Sequence, residues 1–206
     1  MTIDQIMRSA PLIPVLVLDG SFDPAALAET FVDAGLPVIE VTLRTPSALD
    51  GIRAMARVPG AIVGAGTVLD AERLERAVEA GSKFIVAPGL TEPLAAAAHR
   101  AEVPFLPGAT SASDIMRGLD LGLDRFKFFP AIAAGGVPSI KALAAPFPNV
   151  RFCPTGGITS ENAPDFLALE AVLCVGGSWL LRPGDADLSI VAQRSRMAAA
   201  LRVKSA

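Results

Sequence analysis

At 206 residues the chain is long enough to bury one sizeable core, and 51% hydrophobic against 19% charged residues, with 18 glycines and 17 prolines spread throughout, describes a packed globular protein rather than a disordered one. A formal net charge of -3 without any cluster of Lys and Arg excludes nucleic acid as the partner. Neither a secretory leader nor an apolar run of membrane-spanning length is present, so a cytoplasmic protein without membrane contact is expected.

In chain order, short β-like runs recur at Leu12–Leu18, Val38–Thr42, Ala61–Ala65, Phe84–Ala87, Phe105–Pro107, Arg125–Phe128, Arg151–Pro154 and Val172–Val175. Ala/Leu-rich helical patterns lie between them. Asp23, Thr45, Asp70, Thr91 and Ser111 are their N-cap candidates, with Pro24 and Pro46 at first helical positions, and Gly35, Gly81 and Gly122 fall where helices stop. A last helix is expected from about Asp187 to Arg202. Eight strands alternating with helices is the pattern of a parallel sheet, and eight closes a single-domain (β/α)8 TIM barrel of the α/β class spanning residues 1–206. An open doubly wound sheet is the alternative, but no G-x-G-x-x-G follows the first strand. Cys153 and Cys174 sit in strand-like runs without metal-ligand spacing, which reads as buried reduced thiols and no metal site.

The sixth run, Arg125-Phe126-Lys127-Phe128-Phe129-Pro130-Ala131, holds one lysine inside an otherwise apolar strand. Alternation puts Phe126 and Phe128 on one face and Arg125, Lys127 and Phe129 on the other. A buried lysine favours the free amine, the form that attacks a carbonyl to make an imine. A structural ion pair is the competing reading. On the second run, Glu40 and Thr42 oppose Ile39 and Val41, and the second and sixth strands of an eight-stranded ring face each other. Glu40 and Lys127 are therefore expected to project toward one centre, as an acid/base beside an amine or as a buried ion pair.

The strand ends add polar groups where a barrel gathers its site. Arg44 after the second strand offers a fork that fits a carboxylate, and Thr67 in Gly64-Ala65-Gly66-Thr67 a hydroxyl; a surface ion pair and a helix cap are the alternatives. The seventh and eighth strands end in Pro154-Thr155-Gly156-Gly157-Ile158 and Val175-Gly176-Gly177-Ser178. Paired glycines expose backbone N–H groups that can hold a phosphate without lysine, on the two loops where barrels often bind one.

Taken together, Val-Ile-Glu-Val-Thr-Leu-Arg-Thr, Gly-Ala-Gly-Thr-Val-Leu, Pro-Gly-Leu-Thr-Glu-Pro, Phe-Lys-Phe-Phe-Pro-Ala, Arg-Phe-Cys-Pro-Thr-Gly-Gly-Ile and Gly-Gly-Ser-Trp-Leu resemble the bacterial KDPG aldolases, which also act as 4-hydroxy-2-oxoglutarate (KHG) aldolases. The resemblance runs from about Leu12 to Trp179. It implies a class I, cofactor-free and metal-free aldolase, usually a homotrimer. Such an enzyme splits 2-dehydro-3-deoxy-6-phosphogluconate (KDPG) into pyruvate and glyceraldehyde 3-phosphate, and KHG into pyruvate and glyoxylate. It further implies Lys127 as the Schiff-base lysine, Glu40 as proton acceptor and donor, Arg44 and Thr67 as binders of the pyruvate carboxylate, Gly156, Gly157, Gly177 and Ser178 as the phosphate loop, and Pro88 and Phe129 as pocket walls.

Ala87 stands where a small polar residue is expected before Pro-Gly, and the Gly108-Ala109-Thr110-Ser111 loop matches loosely; both bear on the aldehyde rather than on the imine. Leu16-Val17-Leu18-Asp19 lacks the arginine that relatives acting on the galactonate epimer carry there, which leans toward the gluconate substrate. An aldolase for that epimer, a phosphosugar isomerase or epimerase, and a phosphosugar-binding barrel are the rival readings. His99, among alanines in a helical pattern, and Trp179 are read as packing or surface residues.

Overall fold

The computed structural model describes residues 1–201. Its strands are β1 (Leu12–Leu16), β2 (Val38–Thr42), β3 (Ile62–Gly66), β4 (Ile85–Val86), β5 (Phe105–Leu106), β6 (Gly108–Ala109), β7 (Arg125–Phe128), β8 (Arg151–Pro154) and β9 (Val175–Gly177). Its helices are α1 (Ile3–Met7), α2 (Pro24–Asp33), α3 (Ala48–Met55), α4 (Ala71–Glu79), α5 (Glu92–Arg100), α6 (Ala112–Asp120), α7 (Gly136–Ala144), α8 (Ala163–Leu167) and α9 (Leu188–Ala199). The pairings between these strands are all parallel, as helical crossovers require. A curled six-stranded sheet runs β5-β4-β3-β2-β1-β9, and a three-stranded one β6-β7-β8. Only Pro107 separates β5 from β6, and isolated bridges Thr155–Gly176 and Phe152–Val172 join β8 to the chain around β9.

Alternating side chains sort the apolar residues into two clusters. The larger fills the space between strands and helices, where Phe126, Phe128 and Phe152 are fully buried and Phe128 meets Phe152 edge-on at 6.4 Å. The smaller lies on the inner face and gathers Ile13, Val38, Phe84, Val86, Leu106, Cys153, Leu173 and Cys174. α1 closes this inner cluster from the amino ends of the strands by burying Ile6 and Met7 in it. The helix is held there by Asp4, which accepts a hydrogen bond of 2.7 Å from Arg125 Nε at the start of β7.

Local signals account for several helix ends. Asp23, Asp70 and Ser111 accept from the backbone N–H groups of Ala26, Arg73 and Asp114, satisfying donors that a first turn leaves open. Gly35, Gly81 and Gly122 end their helices at φ of 87°, 102° and 75°, a region that costs glycine nothing.

Other expectations need correction. Thr45 is not the cap of α3: Ala48 N–H bonds to the Thr45 carbonyl in a preceding turn, and the helix starts after Ser47. The fifth run breaks into β5 and β6 because Pro107 has no N–H to give the ladder, while its carbonyl accepts from Lys127 N at 2.8 Å. The first run ends at Leu16, the third runs one residue later, and the fourth shortens to Ile85–Val86. The eighth begins at Val175 instead of Val172, whose N–H turns back to Leu169 O. α1 replaces an expected ordinary polar segment; a capping box between Thr2 and Gln5 starts it. The last helix, expected from about Asp187, starts after that residue as its cap and ends at Ala199, short of the expected end; Arg202 lies outside the described residues.

Candidate active site

β7 places its lysine by packing everything around it. Phe126 and Phe128 anchor the outer face, and Gly118 on α6 leaves room for the Phe126 ring where a Cβ would collide with it. Lys127 is then forced inward, in register between Gly108 on β6 and Cys153 on β8. β2 does the same for Glu40, with Ile39 and Val41 buried in the outer cluster. The two side chains meet across the interior: Lys127 Nζ donates to Glu40 Oε1 at 2.9 Å and Oε2 at 3.3 Å. Lys127 is 6% exposed and Glu40 3%. Each is the other's hydrogen-bond partner in a dry interior, so removing either would leave its partner buried and alone. Phe129, half-buried immediately after β7, presents its ring 5.4 Å from Nζ, within cation–π reach.

At the ends of β2 and β3, Arg44 Nε donates to Thr67 Oγ1 at 3.4 Å, so the two residues read as neighbours are neighbours. Thr67 has φ 58°, and a β-branched residue there is a genuine outlier. Strain of this kind persists only where surrounding structure holds it, and it concentrates at ligand-binding positions. Pro88 is exposed after β4, and its carbonyl approaches Gly108 so closely that a Cβ there would overlap it.

Gly156 and Gly157 follow β8 with φ of 100° and 76°, consecutive values that only glycine adopts without strain. Asn162 fixes the loop by donating from Nδ2 to Gly157 O at 3.0 Å. Gly177 is buried with its Cα against the Trp179 ring, and Ser178 is exposed at the edge of a cavity of about 250 Å3 between the ends of β1 and β9. The glycine pairs thus serve packing as well as leaving backbone bare.

Thr155 was not read as a site residue. Its side chain is 6% exposed and sits two positions past Cys153, the register partner of Lys127, with Oγ1 3.9 Å from Cys153 Sγ. Parity along Arg151-Phe152-Cys153-Pro154-Thr155 was the available signal. His99 is exposed on α5, and Trp179 packs against the outer core. Both cysteines are free and buried, and the neighbouring Cys153 thiol together with burial pushes the Cys174 thiol well above its ordinary value. Among the described residues, no three His, Cys, Asp or Glu side chains converge as a metal site would need, and no helix is long and apolar enough to cross a membrane.

A parallel α/β fold enclosing an amine and a carboxylate at hydrogen-bonding distance is the arrangement that a Schiff-base α/β aldolase requires. Comparison with known proteins narrows it. The family model for KDPG and KHG aldolases matches residues 3–193, and the chain belongs to that family. It is 52% identical over 200 residues to the 2-dehydro-3-deoxy-phosphogluconate aldolase of Zymomonas mobilis, covering 97% of this chain and 96% of the relative. The crystal structure of the Zymomonas mobilis ZM4 aldolase with 3-phosphoglycerate superposes with a TM-score of 0.95 at 51% identity, covering 98% of this chain and 96% of that one. The Legionella pneumophila KDPG aldolase, with pyruvate captured as a covalent carbinolamine, superposes with a TM-score of 0.91 at 40% identity, covering 96% and 98%.

Proposed function

We propose that this chain cleaves KDPG to pyruvate and glyceraldehyde 3-phosphate, and KHG to pyruvate and glyoxylate, through an imine on Lys127. The observation that carries the reading is the buried contact of 2.9 Å between Lys127 Nζ and Glu40, in a chain of the KDPG and KHG aldolase family.

Lys127 Nζ attacks the C2 ketone, and loss of water from the carbinolamine leaves a protonated imine. Glu40 accepts the proton of the C4 hydroxyl, directly or through a water, while the C3–C4 bond breaks and its electron pair flows into the imine. The aldehyde departs. The remaining enamine takes a proton at C3 from Glu40, and water hydrolyses the imine to free pyruvate and the amine. Arg44 and Thr67 hold the carboxylate next to the ketone, a role that the strained Thr67 backbone supports. Gly156, Gly157, Gly177 and Ser178 hold the phosphate, and Pro88 and Phe129 wall the pocket. The absence of arginine at the end of β1 favours the gluconate over the galactonate epimer.

The same reading takes residues 1–206 as one domain and the two sheets as one closed (β/α)8 barrel, supported by the Thr155–Gly176 bridge and by the reach of Lys127 on one sheet to Glu40 on the other. It extends to a cytoplasmic homotrimer, with the exposed apolar Met116, Leu119 and Leu121 as material for subunit contact.

Sodium borohydride added with pyruvate tests the imine: it is expected to inactivate the protein and leave one reduced pyruvyl unit on Lys127, and Lys127→Arg to abolish both. An adduct on Lys83, Lys141 or Lys204, or none, refutes the mechanism.

A further inference from the structure

β3 reads Ile62-Val63-Gly64-Ala65-Gly66, and its two glycines share one face of the strand. Neither has the positive φ that only glycine tolerates, so backbone freedom does not account for them. Space does. A Cβ on Gly64 would meet the Phe84 ring at 2.5 Å. A Cβ on Gly66 would fall on the Glu40 side chain, 2.7 Å from Cγ and Cδ and nearer still to Oε1, and these three are its nearest atoms. The Glu40 carboxylate therefore occupies the space that a side chain on Gly66 would fill, while its two oxygens accept from Lys127. A glutamate has a long side chain with several rotamers. Here the bare strand at Gly66 and the Lys127 amine both border the place the carboxylate takes.

We propose that Gly66 is a positioning residue for proton transfer: its missing side chain is the seat that holds the Glu40 carboxylate at the reacting carbons. The proposal rests on the acid–base role given to Glu40 above. Gly64→Ala, one step back on the same face, is its natural contrast, because the added methyl there meets a ring instead of the carboxylate.

The test compares wild type with Gly66→Ala, Glu40→Ala, the double variant and Gly64→Ala. Three quantities are measured: borohydride trapping of pyruvate, deuterium exchange of the pyruvate methyl protons, and thermal unfolding. Gly66→Ala is expected to keep trapping within about threefold while exchange falls about a hundredfold, the usual cost of displacing a reacting group by an ångström. In the Glu40→Ala background the same substitution is expected to cost nothing further, since residues acting as one unit are not additive. Gly64→Ala is expected to lower the unfolding temperature and leave the ratio of exchange to trapping unchanged. Multiplying losses in the double variant, or equal losses of trapping and exchange in Gly66→Ala, overturn the proposal. If Gly66→Ala does not fold, the double variant must unfold at the same temperature as Glu40→Ala, because the atoms in the way are gone; a double variant less stable than Glu40→Ala also overturns the proposal. Wild type that traps no pyruvate refutes the imine reading instead, and the unfolding comparison still decides whether Gly66 seats Glu40.

Discussion

Replacing Glu40 by glutamine separates imine formation from proton transfer. Gln has the shape of Glu, so no cavity opens at a position 3% exposed, and its amide oxygen can still accept from Lys127 Nζ. What is lost is the negative charge, at a site where the amine is 6% exposed. Removing one partner of a buried pair costs about 3–5 kcal/mol. At about 2–4 °C per kcal/mol for a chain of this size, the midpoint is expected to fall by roughly 6–20 °C, leaving a folded protein at room temperature. Chemistry loses a similar amount, but in rate: without a positioned acid/base, cleavage and methyl-proton exchange are expected to slow by about a hundred- to ten-thousandfold, which is roughly 3–5.5 kcal/mol at about 1.4 per decade. The assay follows the pyruvate methyl signal in deuterated buffer by proton NMR, with borohydride trapping on the same preparation showing that the imine still forms. Exchange in Glu40→Gln at the wild-type rate removes Glu40 from the mechanism.

Ser178→Ala removes one exposed hydroxyl from the phosphate loop; a hydrogen bond to a charged group is worth about 1.5–3 kcal/mol, so kcat/KM is expected to fall about ten- to a hundredfold for KDPG and hardly at all for KHG, which steady-state kinetics on both substrates will show. Gly177→Val is the poorer probe, because its side chain would first displace Trp179. Burial pushes the Asp4 carboxyl up, but hydrogen bonds from Arg125 and Arg8 outweigh it and hold the group below its ordinary 3.8. A depressed folded value gives stability that is present above 3.8 and lost as pH falls through the lower, folded value. Asp4→Asn is therefore expected to lower the melting temperature at neutral pH, with the gap to wild type narrowing in acid; a gap independent of pH contradicts the assignment. Phe152→Ala, at a fully buried ring touching Phe126 and Phe128, is expected to cost about 3–5 kcal/mol in denaturant unfolding.

Much of the candidate site was legible because side-chain alternation is local. Parity alone sent Lys127 and Glu40 to one face of their strands, and the strand count set them opposite one another; the bond of 2.9 Å joins them. Glycine stops were equally readable, since Gly35, Gly81 and Gly122 answer to the helix immediately before them. What escaped depends on residues distant in sequence. β9 starts late because the chain around Val172 turns back to Leu169. α1 is only five residues long, too short to stand without the inner cluster it covers. Gly66 shows no role within its own strand end; its role depends on Glu40, from another strand, whose side chain fills the space beside it.

The short helix α1 bears on how molecules come and go. With Ile6 and Met7 buried in the inner cluster and Asp4 pinned to Arg125, it covers the amino end of the strands, and the residues proposed to bind substrate gather at the carboxyl end. In the proposed mechanism the aldehyde departs while pyruvate is still bonded to Lys127, so the aldehyde leaves first and pyruvate last. Product inhibition follows from that sequence: pyruvate, last to leave, is expected to compete with KDPG for the empty enzyme, whereas glyceraldehyde 3-phosphate, which meets only the pyruvate-loaded form, is expected to inhibit in a mixed pattern.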